Sequence, residues 1–391
     1  MKAVERLLKK GARIPSPDCI EIGPEVDVER ISGEGVVIHA GCRIFGDRTL
    51  ILPGARLGGE GPVTVENCQV GPGAELRGGF FREAVFLEQA RCGLGAHVRE
   101  GTILEEQASI AHTVGLKQTI LFPFVTLGSL INFCDCLMAG GTDRRNHSEV
   151  GSSYIHFNFT PNQDKATPSL IGDVPRGVML NQNPIFLGGQ GGIVGPVQLA
   201  FGTTVAAGTI LRKNELRPNR LIIGGAAIAE NIEFQPGRFS GTGRIIKNNL
   251  VYIANLMALH QWYRRVRSLF VAQRFPETLL AGLLENSRLA VAERTRCLKE
   301  LGDKMAQSGD SSLFERRSAL DAALQSRFGS EGDLRVCEPF LEAMTSMIAR
   351  EGKDYIAAIK ALSPQACGQG TAWLQGIVDD TVTAGIAAAN G

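Results

Sequence analysis

A repeat of six residues is the feature of this sequence that most restricts its possible folds. Aliphatic or small apolar residues recur at every sixth position through "CGLGAHVREGTILEEQASI", at Cys92, Val98, Leu104 and Ile110. The same step recurs at Ile38, Ile44 and Leu50, at Leu57 and Val63, and at Ile193, Leu199, Val205 and Leu211. A step of six does not stay on one face of an α-helix, so the repeat argues against helices in this region.

The repeat predicts a three-sided parallel β-helix. Each flat face is a short strand with one inward aliphatic residue, and each corner needs a small or turn-compatible residue. Three steps, about 18 residues, complete one coil. The alternative is a glycine-rich antiparallel β-sandwich. The sequence favours it less, because alternation by two is poorly kept and Asn-Gly hairpin turns are absent from this half.

From about residue 248 the apolar period becomes helical. Leu250, Ile253, Met257, Val266 and Phe270 follow helical spacing, and a proline at position 276 ends this segment. Four more helices are predicted in "ETLLAGLLENSRLAVAERTRCLKELGDKM", "SSLFERRSALDAALQSRF", "CEPFLEAMTSMIAREGKDYIAAIKAL" and "TAWLQGIVDDTVTAGIAAA". We therefore predict two domains, a β-helix over 1–247 with inserted loops at about 134–192, and an α-helical bundle over 248–391. The bundle is expected on the end of the β-helix, covering the unpaired last coil.

Composition excludes several classes of protein. Lys and Arg total 41 against 40 Asp and Glu, so the net charge of +1 gives no sign of a nucleic-acid partner. The nine cysteines include no CxxC pair, and no metal site is expected. No apolar run reaches the roughly 18 residues of a membrane span, and the start lacks a signal-peptide core. We expect a soluble, cytoplasmic protein with free thiols.

Five segments carry a resemblance to a known family. They are "VREGTIL", "VGLKQTIL", "GSLINF", "EVGSSYIHFNF" and "DKATPSLIGD", and their order and approximate spacing match. Residues 94–211 thereby resemble the acetyltransferase half of the bacterial bifunctional N-acetylglucosamine-1-phosphate uridyltransferase/glucosamine-1-phosphate acetyltransferase. The resemblance implies a left-handed β-helix of hexapeptide repeats, a homotrimer with active sites in the grooves between subunits, and acetyl-CoA and an amino-sugar phosphate as substrates.

The resemblance also implies particular site residues. Arg99 falls on the family's arginine, and Lys117 and Lys165 fall on its two lysines; these residues hold the sugar phosphate in the family. Asn158 falls on an Asn-Tyr pair near the ligand groove. Asn132, within the matched "GSLINF", is a further candidate for substrate binding.

Two positions depart from the family pattern. The catalytic histidine of the family falls on Phe133, and a nearby tyrosine falls on Cys136. Phenylalanine cannot accept a proton, so this alignment leaves the original base missing. In addition, nothing near the start resembles the glycine-rich, lysine-containing nucleotide loop of the uridyltransferase half. We therefore do not expect this chain to make UDP-sugars by itself.

The stretch "RRNHSE" offers a replacement for the missing base. His147 can take up a proton near neutral pH, and Glu149 can orient its ring. Arg144 and Arg145 can receive a phosphate, because the guanidinium fork matches phosphate oxygens. The alternative is an exposed loop in which the histidine has no catalytic role.

His156 is the second candidate base. It alternates with Tyr154 and Asn158 on a predicted strand. An outward His156 would line a groove between subunits, whereas an inward one would be a core residue. Cys134 and Cys136 are interpreted as thiols stacked inside a narrow β-helix rather than as nucleophiles or metal ligands.

The glycine-rich stretch "IFLGGQGGIVGP" has two readings. Gly188, Gly189 and Gly191 can let the pantetheine or phosphates of CoA approach the backbone closely. Alternatively, the stretch is a loop or bulge that leaves one coil and rejoins it at Ile193.

Two functions from different classes follow. The first is a trimeric transferase that moves an acyl group from acetyl-CoA, or another acyl-CoA, to an amino-sugar phosphate or nucleotide sugar. The second is a catalytically inactive protein that binds such a ligand or serves as a scaffold, with the helical domain docking a protein partner.

Overall fold

The computed structural model describes residues 3–224 and 237–390. The first range forms a parallel β-solenoid of about 11 turns, in which successive coils add short parallel strands to three flat faces. The second range is α-helical. The predicted β-helix followed by α-helices is confirmed.

The three faces are numbered in the order in which the chain visits them. Face 1 comprises Glu21–Ile22, Arg43–Phe45, Val63–Glu66, Gly79–Arg82, Ala96–Val98, Ile155–Phe157, Gly192–Val194 and Ile210–Leu211. Face 2 comprises Leu50–Ile51, Gln69–Val70, Ala84–Phe86, Thr102–Leu104, Ser169–Ile171 and Gln198–Leu199. Face 3 comprises Val37–Ile38, Arg56–Leu57, Glu75–Leu76, Arg91–Cys92, Ser109–Ile110, Thr126–Leu127, Glu149–Val150, Phe186–Leu187, Thr204–Val205 and Leu221–Ile222.

Two longer strands, Gly115–Leu121 and Asn132–Met138, run from face 1 into face 2. A short antiparallel hairpin pairs Gly141–Asp143 with Asn146–His147 and projects between faces 2 and 3. The six-residue repeat supplies the inward row of the solenoid. Val98 is in register with Leu116 on face 1, and Leu104 with Leu121 on face 2, and all four are buried.

The edges between faces are marked by residues with positive φ. Edge 1–2 carries Gly101, Gln118 and Asp135; edge 2–3 carries Gln107 and Phe124; edge 3–1 carries Gly95, Thr113 and Leu130. These edges are the three ridges of the solenoid, and the candidate site residues are described below by the edge that they occupy.

Eight α-helices are described. They are α1 (Ala3–Lys9), α2 (Val174–Gly177), α3 (Thr242–Arg265), α4 (Glu277–Gln307), α5 (Ser312–Arg327), α6 (Leu334–Glu351), α7 (Tyr355–Lys360) and α8 (Pro364–Asn390). Short 3₁₀ turns occupy Pro17–Cys19, Val28–Arg30 and Arg267–Phe270. The helix predicted in "CEPFLEAMTSMIAREGKDYIAAIKAL" is divided into α6 and α7. Gly352 leaves the helical conformation at φ 77°, and the Asp354 side chain caps α7 by accepting from the amide of Ala357.

The expected position of the helical part was wrong: it packs along the side of the solenoid, on face 2, rather than on its end. On this face the outward positions are also apolar and form one in-register row, namely Val85, Ile103, Ile120, Leu137 and Leu170, each buried. Successive residues of a strand point to opposite sides, so this row lies outside the inward one and needs its own cover.

Polar contacts continue the outward row at both ends. Gln69 lies against Gly282 of α4, where a Cβ would come 2.6 Å from the amide oxygen of Gln69. Gln198 Nε2 donates to Asn248 Oδ1 of α3 at 2.9 Å. Helices α3 and α4 therefore cover face 2 along most of its length.

Within the described ranges, no helix is long and apolar enough to cross a membrane. All nine cysteines are free thiols, and most are buried.

Truncating one residue of the outward row tests how the helices dock. Leu137→Ala removes a fully buried side chain and is expected to cost about 2–5 kcal/mol of stability, read as a fall in melting temperature. Leu216, a leucine that is 65% exposed, is the matched control, and Leu216→Ala should change stability by less than about 0.5 kcal/mol. Equal effects of the two substitutions would contradict the covered face.

Candidate functional site

The structure separates the candidate site residues onto different parts of the solenoid. Arg99, Lys117, Asn158 and Lys165 lie along edge 1–2, with Asn132 beside them on face 1. Arg144, Arg145, His147 and Glu149 lie at edge 2–3, in and after the hairpin. Gly188, Gly189 and Gly191 lie at edge 3–1, and His156 points into the interior.

Edge 1–2 holds a basic cluster on consecutive coils. Arg99, Lys117 and Cys134 lie on three successive coils. The Arg99 amide donates to the carbonyl of Leu116, the residue before Lys117, and Lys117 is in register with Cys134. Lys117 Nζ lies 2.9 Å from Glu100 Oε1. Although partial burial raises the pKa of Glu100, its bonds to Lys117 and to a second cation lower it to about 2. Glu100 is therefore ionised near neutral pH and partly neutralises the cluster.

Helix α4 crosses this edge and adds a buried ion pair. Arg294 Nη2 lies 2.8 Å from Asp135 Oδ1, and both side chains are almost fully buried. Burial raises the pKa of Asp135, and the charge of Arg294 and a hydrogen bond from Asn158 oppose this effect. Arg294 Nη1 also donates to the Lys165 carbonyl oxygen at 3.2 Å. One arginine thus connects the corner of the solenoid to the loop that carries two candidate residues.

The rest of that loop, residues 158–168, is also held by the helical part. Lys304 of α4 donates to the carbonyl oxygens of Asn162 and Gln163. Asn249 of α3 donates to the Ala166 carbonyl oxygen at 2.8 Å. The position of Lys165 relative to the solenoid therefore depends on helices outside the region of family resemblance.

Sequence reasoning missed Arg294 and Asp135, although one signal was present. Arg294 lies on the apolar stripe of α4, between buried Ala290 and Leu298, at the i+4 spacing of a helix face. An arginine on the buried face of a helix needs a partner, because an isolated buried charge is costly. The signal predicts a buried carboxylate but does not say which one.

Phe133 and His156 are core residues. Phe133 is fully buried, with its ring centroid 6.1 Å from that of Tyr154 and 6.5 Å from that of His156. His156 Nε2 contacts Ser169 Oγ at 2.8 Å, and burial lowers the pKa of His156 to about 4. Of the two orientations considered for His156, the structure has the inward one, with a neutral ring that has no access to a groove.

The two cysteines of this region differ from the expected pair of interior thiols. Cys136 is buried inside the solenoid, but Cys134 points outward beside Lys117 and is partly exposed. The left-handed backbone at Asp135, φ 62°, turns the chain around the edge between them. Burial, reinforced by Asp135, raises the pKa of Cys134 to about 11, so this thiol is protonated near neutral pH. Across 3–224 and 237–390, no cluster of His, Cys, Asp or Glu is suited to a metal.

The two arginines of the hairpin differ in their contacts. Arg144 Nη1 donates to the carbonyl oxygens of Gln107 and Phe124, at 3.1 and 2.7 Å, and so attaches the hairpin to edge 2–3. Arg145 is exposed, and its guanidinium has no hydrogen-bond partner among the described residues.

His147 Nδ1 lies 3.2 Å from the Ser148 carbonyl oxygen. That contact requires a proton on Nδ1, which leaves Nε2 as the basic nitrogen of a neutral ring.

Coil stacking accounts for the three glycines of edge 3–1. A Cβ on Gly188 would lie 2.4 Å from the Ala207 amide nitrogen, and one on Gly189 would lie 2.7 Å from the Ser152 carbonyl oxygen. A Cβ on Gly191 would meet the ring of Tyr154 at 2.7 Å. The alternative in which these residues rejoin a coil therefore explains them without a bound cofactor.

The Arg294 ion pair gives a direct test of this geometry. Arg294→Gln leaves the Asp135 carboxylate buried without its partner and is expected to cost about 3–5 kcal/mol, seen as a lower melting temperature. The double variant Asp135→Asn/Arg294→Gln should recover part of that loss, because no orphaned charge remains. The control Arg288→Gln changes an exposed arginine of the same helix and should have little effect. A double variant no more stable than Arg294→Gln would contradict the pair.

Comparison with known proteins places this chain beside one group. No family model matches it. Bifunctional protein GlmU of Corynebacterium aurimucosum is 26% identical over 232 residues, which are 59% of this chain and 42% of that protein. GlmU of Thermotoga petrophila is 24% identical over 227 residues, 58% of this chain and 45% of that protein. The chain thus spans less than half the length of these curated relatives.

Solved structures with aligned folds are more distant. LpxA from Acinetobacter baumannii aligns over 70% of this chain and 96% of its own, at 15% identity and a TM-score of 0.25. UDP-N-acetylglucosamine O-acyltransferase (LpxA) from Moraxella catarrhalis aligns over 68% and 96%, at 11% identity and a TM-score of 0.27. With its six-residue repeat and its parallel solenoid, the chain is a hexapeptide-repeat protein that is similar in sequence to part of GlmU.

Proposed function

We propose that this chain transfers an acyl group from an acyl-CoA, such as acetyl-CoA, to the amino group of a sugar phosphate or nucleotide sugar. The observation that carries the proposal is the basic cluster of edge 1–2, where Arg99 and Lys117 lie on adjacent coils and the loop that carries Lys165 follows on the same ridge. Arginine and lysine bind phosphate by charge-assisted hydrogen bonds. Lys165 is exposed, and Lys117 needs only to exchange Glu100 for a ligand phosphate.

The protein is proposed to act as a homotrimer, because the helices of the described ranges leave two faces of the solenoid uncovered. Helices occupy face 2, whereas exposed apolar side chains lie on the other two faces and the edge between them: Leu94, Leu130, Ile155, Phe157, Phe186 and Leu221, each at least 40% exposed. Contiguous exposed apolar residues are typical of surfaces that another protein covers. A cyclic trimer with edge 3–1 at its axis would bury this surface and leave the helices outermost.

This arrangement brings the separated candidate residues together. In a ring of three triangular prisms, face 1 of one copy is turned toward face 3 of the next and meets it near the axis. Edge 1–2 of one copy and edge 2–3 of its neighbour then border the same cleft between copies. The cluster around Lys117 would thus face Arg145 and His147 of the adjacent copy, a pairing that a single chain does not make.

The chemistry at the seam follows from these groups. The phosphate of the acceptor is held by Arg99, Lys117 and Lys165, with Asn158 and Asn132 at its side and Arg145 of the next copy opposite. Nε2 of His147 takes a proton as the acceptor nitrogen attacks the thioester carbonyl carbon. The carbon–sulfur bond breaks, the amide forms, and CoA leaves as the thiol with a proton. The free cysteines suit a reducing compartment, and we propose a cytoplasmic location.

A second candidate function is ligand binding without catalysis, with the helical part docking a protein partner. Phe133 in the core favours it, since the position that holds the base in the resembling family is here a buried side chain that cannot accept a proton. Ligand-induced stabilisation separates the two. A binder would raise its melting temperature with an amino-sugar phosphate and release no CoA thiol.

The catalytic assignment is tested by measuring CoA thiol release with a panel of amino-sugar phosphates. His147→Ala is expected to lower kcat/KM by at least about 100-fold, because a general base contributes at least that factor. Lys117→Ala should raise KM for the phosphorylated acceptor. Lys9→Ala, at an exposed lysine of α1, serves as the control and should behave as wild type. No turnover by the wild-type chain would contradict the transferase.

Mixing two impaired variants, assayed at an acceptor concentration well below KM, tests the site between copies. Lys117→Ala damages edge 1–2, and His147→Ala damages edge 2–3. In randomly mixed trimers about one seam in four joins the two intact edges, so activity should return to about a quarter of the wild-type value. Each variant alone should remain impaired. Absence of recovery after the subunits have exchanged would show that the residues do not act together across a seam.

A further inference from the structure

A cavity of about 750 Å³ lies between edge 2–3 of the solenoid and the helical part, apart from the basic cluster of edge 1–2. The solenoid contributes Glu88, Glu106 and Gln107 to its wall. The segment after α3 contributes Arg267 and Phe275, and the region of α7 contributes Lys353, Tyr355, Ile356 and Lys360. Its volume is within the range of small-molecule sites, roughly 300–1,000 Å³.

The wall of the cavity contains an arginine with unused hydrogen-bonding capacity. Arg267 is 1% exposed and pairs with Glu106 through Nη2. Its Nε and Nη1, and Oε2 of Glu106, have no partner among the described residues. The guanidinium carbon lies 3.7 Å from the centroid of the Tyr355 ring and 4.6 Å from that of Phe275. Buried polar atoms without partners are rare in folded proteins, and these belong to residues that line the cavity.

The rim of the cavity carries Lys353, Asp354 and Lys360, and apolar side chains lie beside the Arg267–Glu106 pair of the inner wall. Lys353 and Lys360 are exposed, and Lys360 forms no ion pair or hydrogen bond within the described ranges. Phe275 and Ile356 are half-buried and offer a ring and an aliphatic surface. A second hollow adjoins the cavity at Gln107, Ile356 and Lys360. The combination suits an elongated ligand with a planar apolar group at one end and negative charge at the other.

We propose that this cavity is a second binding site, for a nucleoside phosphate. The base would lie against Phe275 beside the guanidinium of Arg267, where planar rings and arginine stack favourably. The phosphates would reach Lys353 and Lys360. The site does not depend on the proposed acyl transfer, and it couples the solenoid to the helices, since both parts form its wall.

The test is calorimetric titration of the full chain with ADP, with adenosine and inorganic diphosphate as partial ligands. ADP is expected to bind, and each fragment should bind at least about tenfold more weakly, because it uses half of the site. Lys360→Glu, which reverses an exposed charge, and Phe275→Leu, which keeps an apolar side chain but removes the ring, should each weaken ADP binding about tenfold or more.

Lys213→Glu is the control. It makes the same charge change at an exposed lysine elsewhere and should bind ADP as wild type does. Melting temperatures of all variants are compared first, so that lost binding is read only from folded protein. The proposal is overturned if ADP does not bind, if Lys213→Glu weakens it as much as Lys360→Glu, or if diphosphate binds as tightly as ADP.

Discussion

The covered outward row of face 2 is the constraint on which the rest of this structure depends. A hexapeptide solenoid needs only one inward residue per step, but here Ile103, Ile120 and Leu137 make the outer surface of one face apolar as well. Helices α3 and α4 bury that surface and thereby assign a different role to each face. One face is closed, two remain available for other copies, and the ridges beside the closed face become places where solenoid and helix residues meet.

Both candidate sites lie on those ridges. At edge 1–2, Arg294 of α4 bonds Asp135 and the carbonyl of Lys165, so a helix outside the repeat fixes the loop that completes the basic cluster. At edge 2–3, Arg267 pairs with Glu106 in the wall of the cavity. Each ridge thus joins a buried ion pair between the two parts of the chain to a more exposed group of cations. Removing one member of such a pair leaves a buried charge, so the helices and the sites are energetically linked.

The fold was largely predictable, because a step of six with inward aliphatic residues admits few architectures, and the inward stacking of Val98 and Leu104 is what the repeat requires. The side-on docking was not foreseen, although the apolar outward residues that cause it were visible beside the repeat. The sites were predicted less well. Residue spacing placed His156 on a strand but could not decide whether its side chain points inward or outward. The resemblance could not reveal Arg294, because the only trace of a long-range ion pair in the sequence is an arginine on the apolar stripe of a helix.

Cyclic assembly around edge 3–1 is the central claim, because it alone unites Lys117 with the His147 of a neighbouring copy. The most direct measurement is an electron cryo-microscopy map of the protein. The account predicts three copies with face 1 of each turned toward face 3 of the next, Leu130 near the three-fold axis, and the helices on the outside. A monomer, or an assembly held together through the helices with faces 1 and 3 open to solvent, would contradict it.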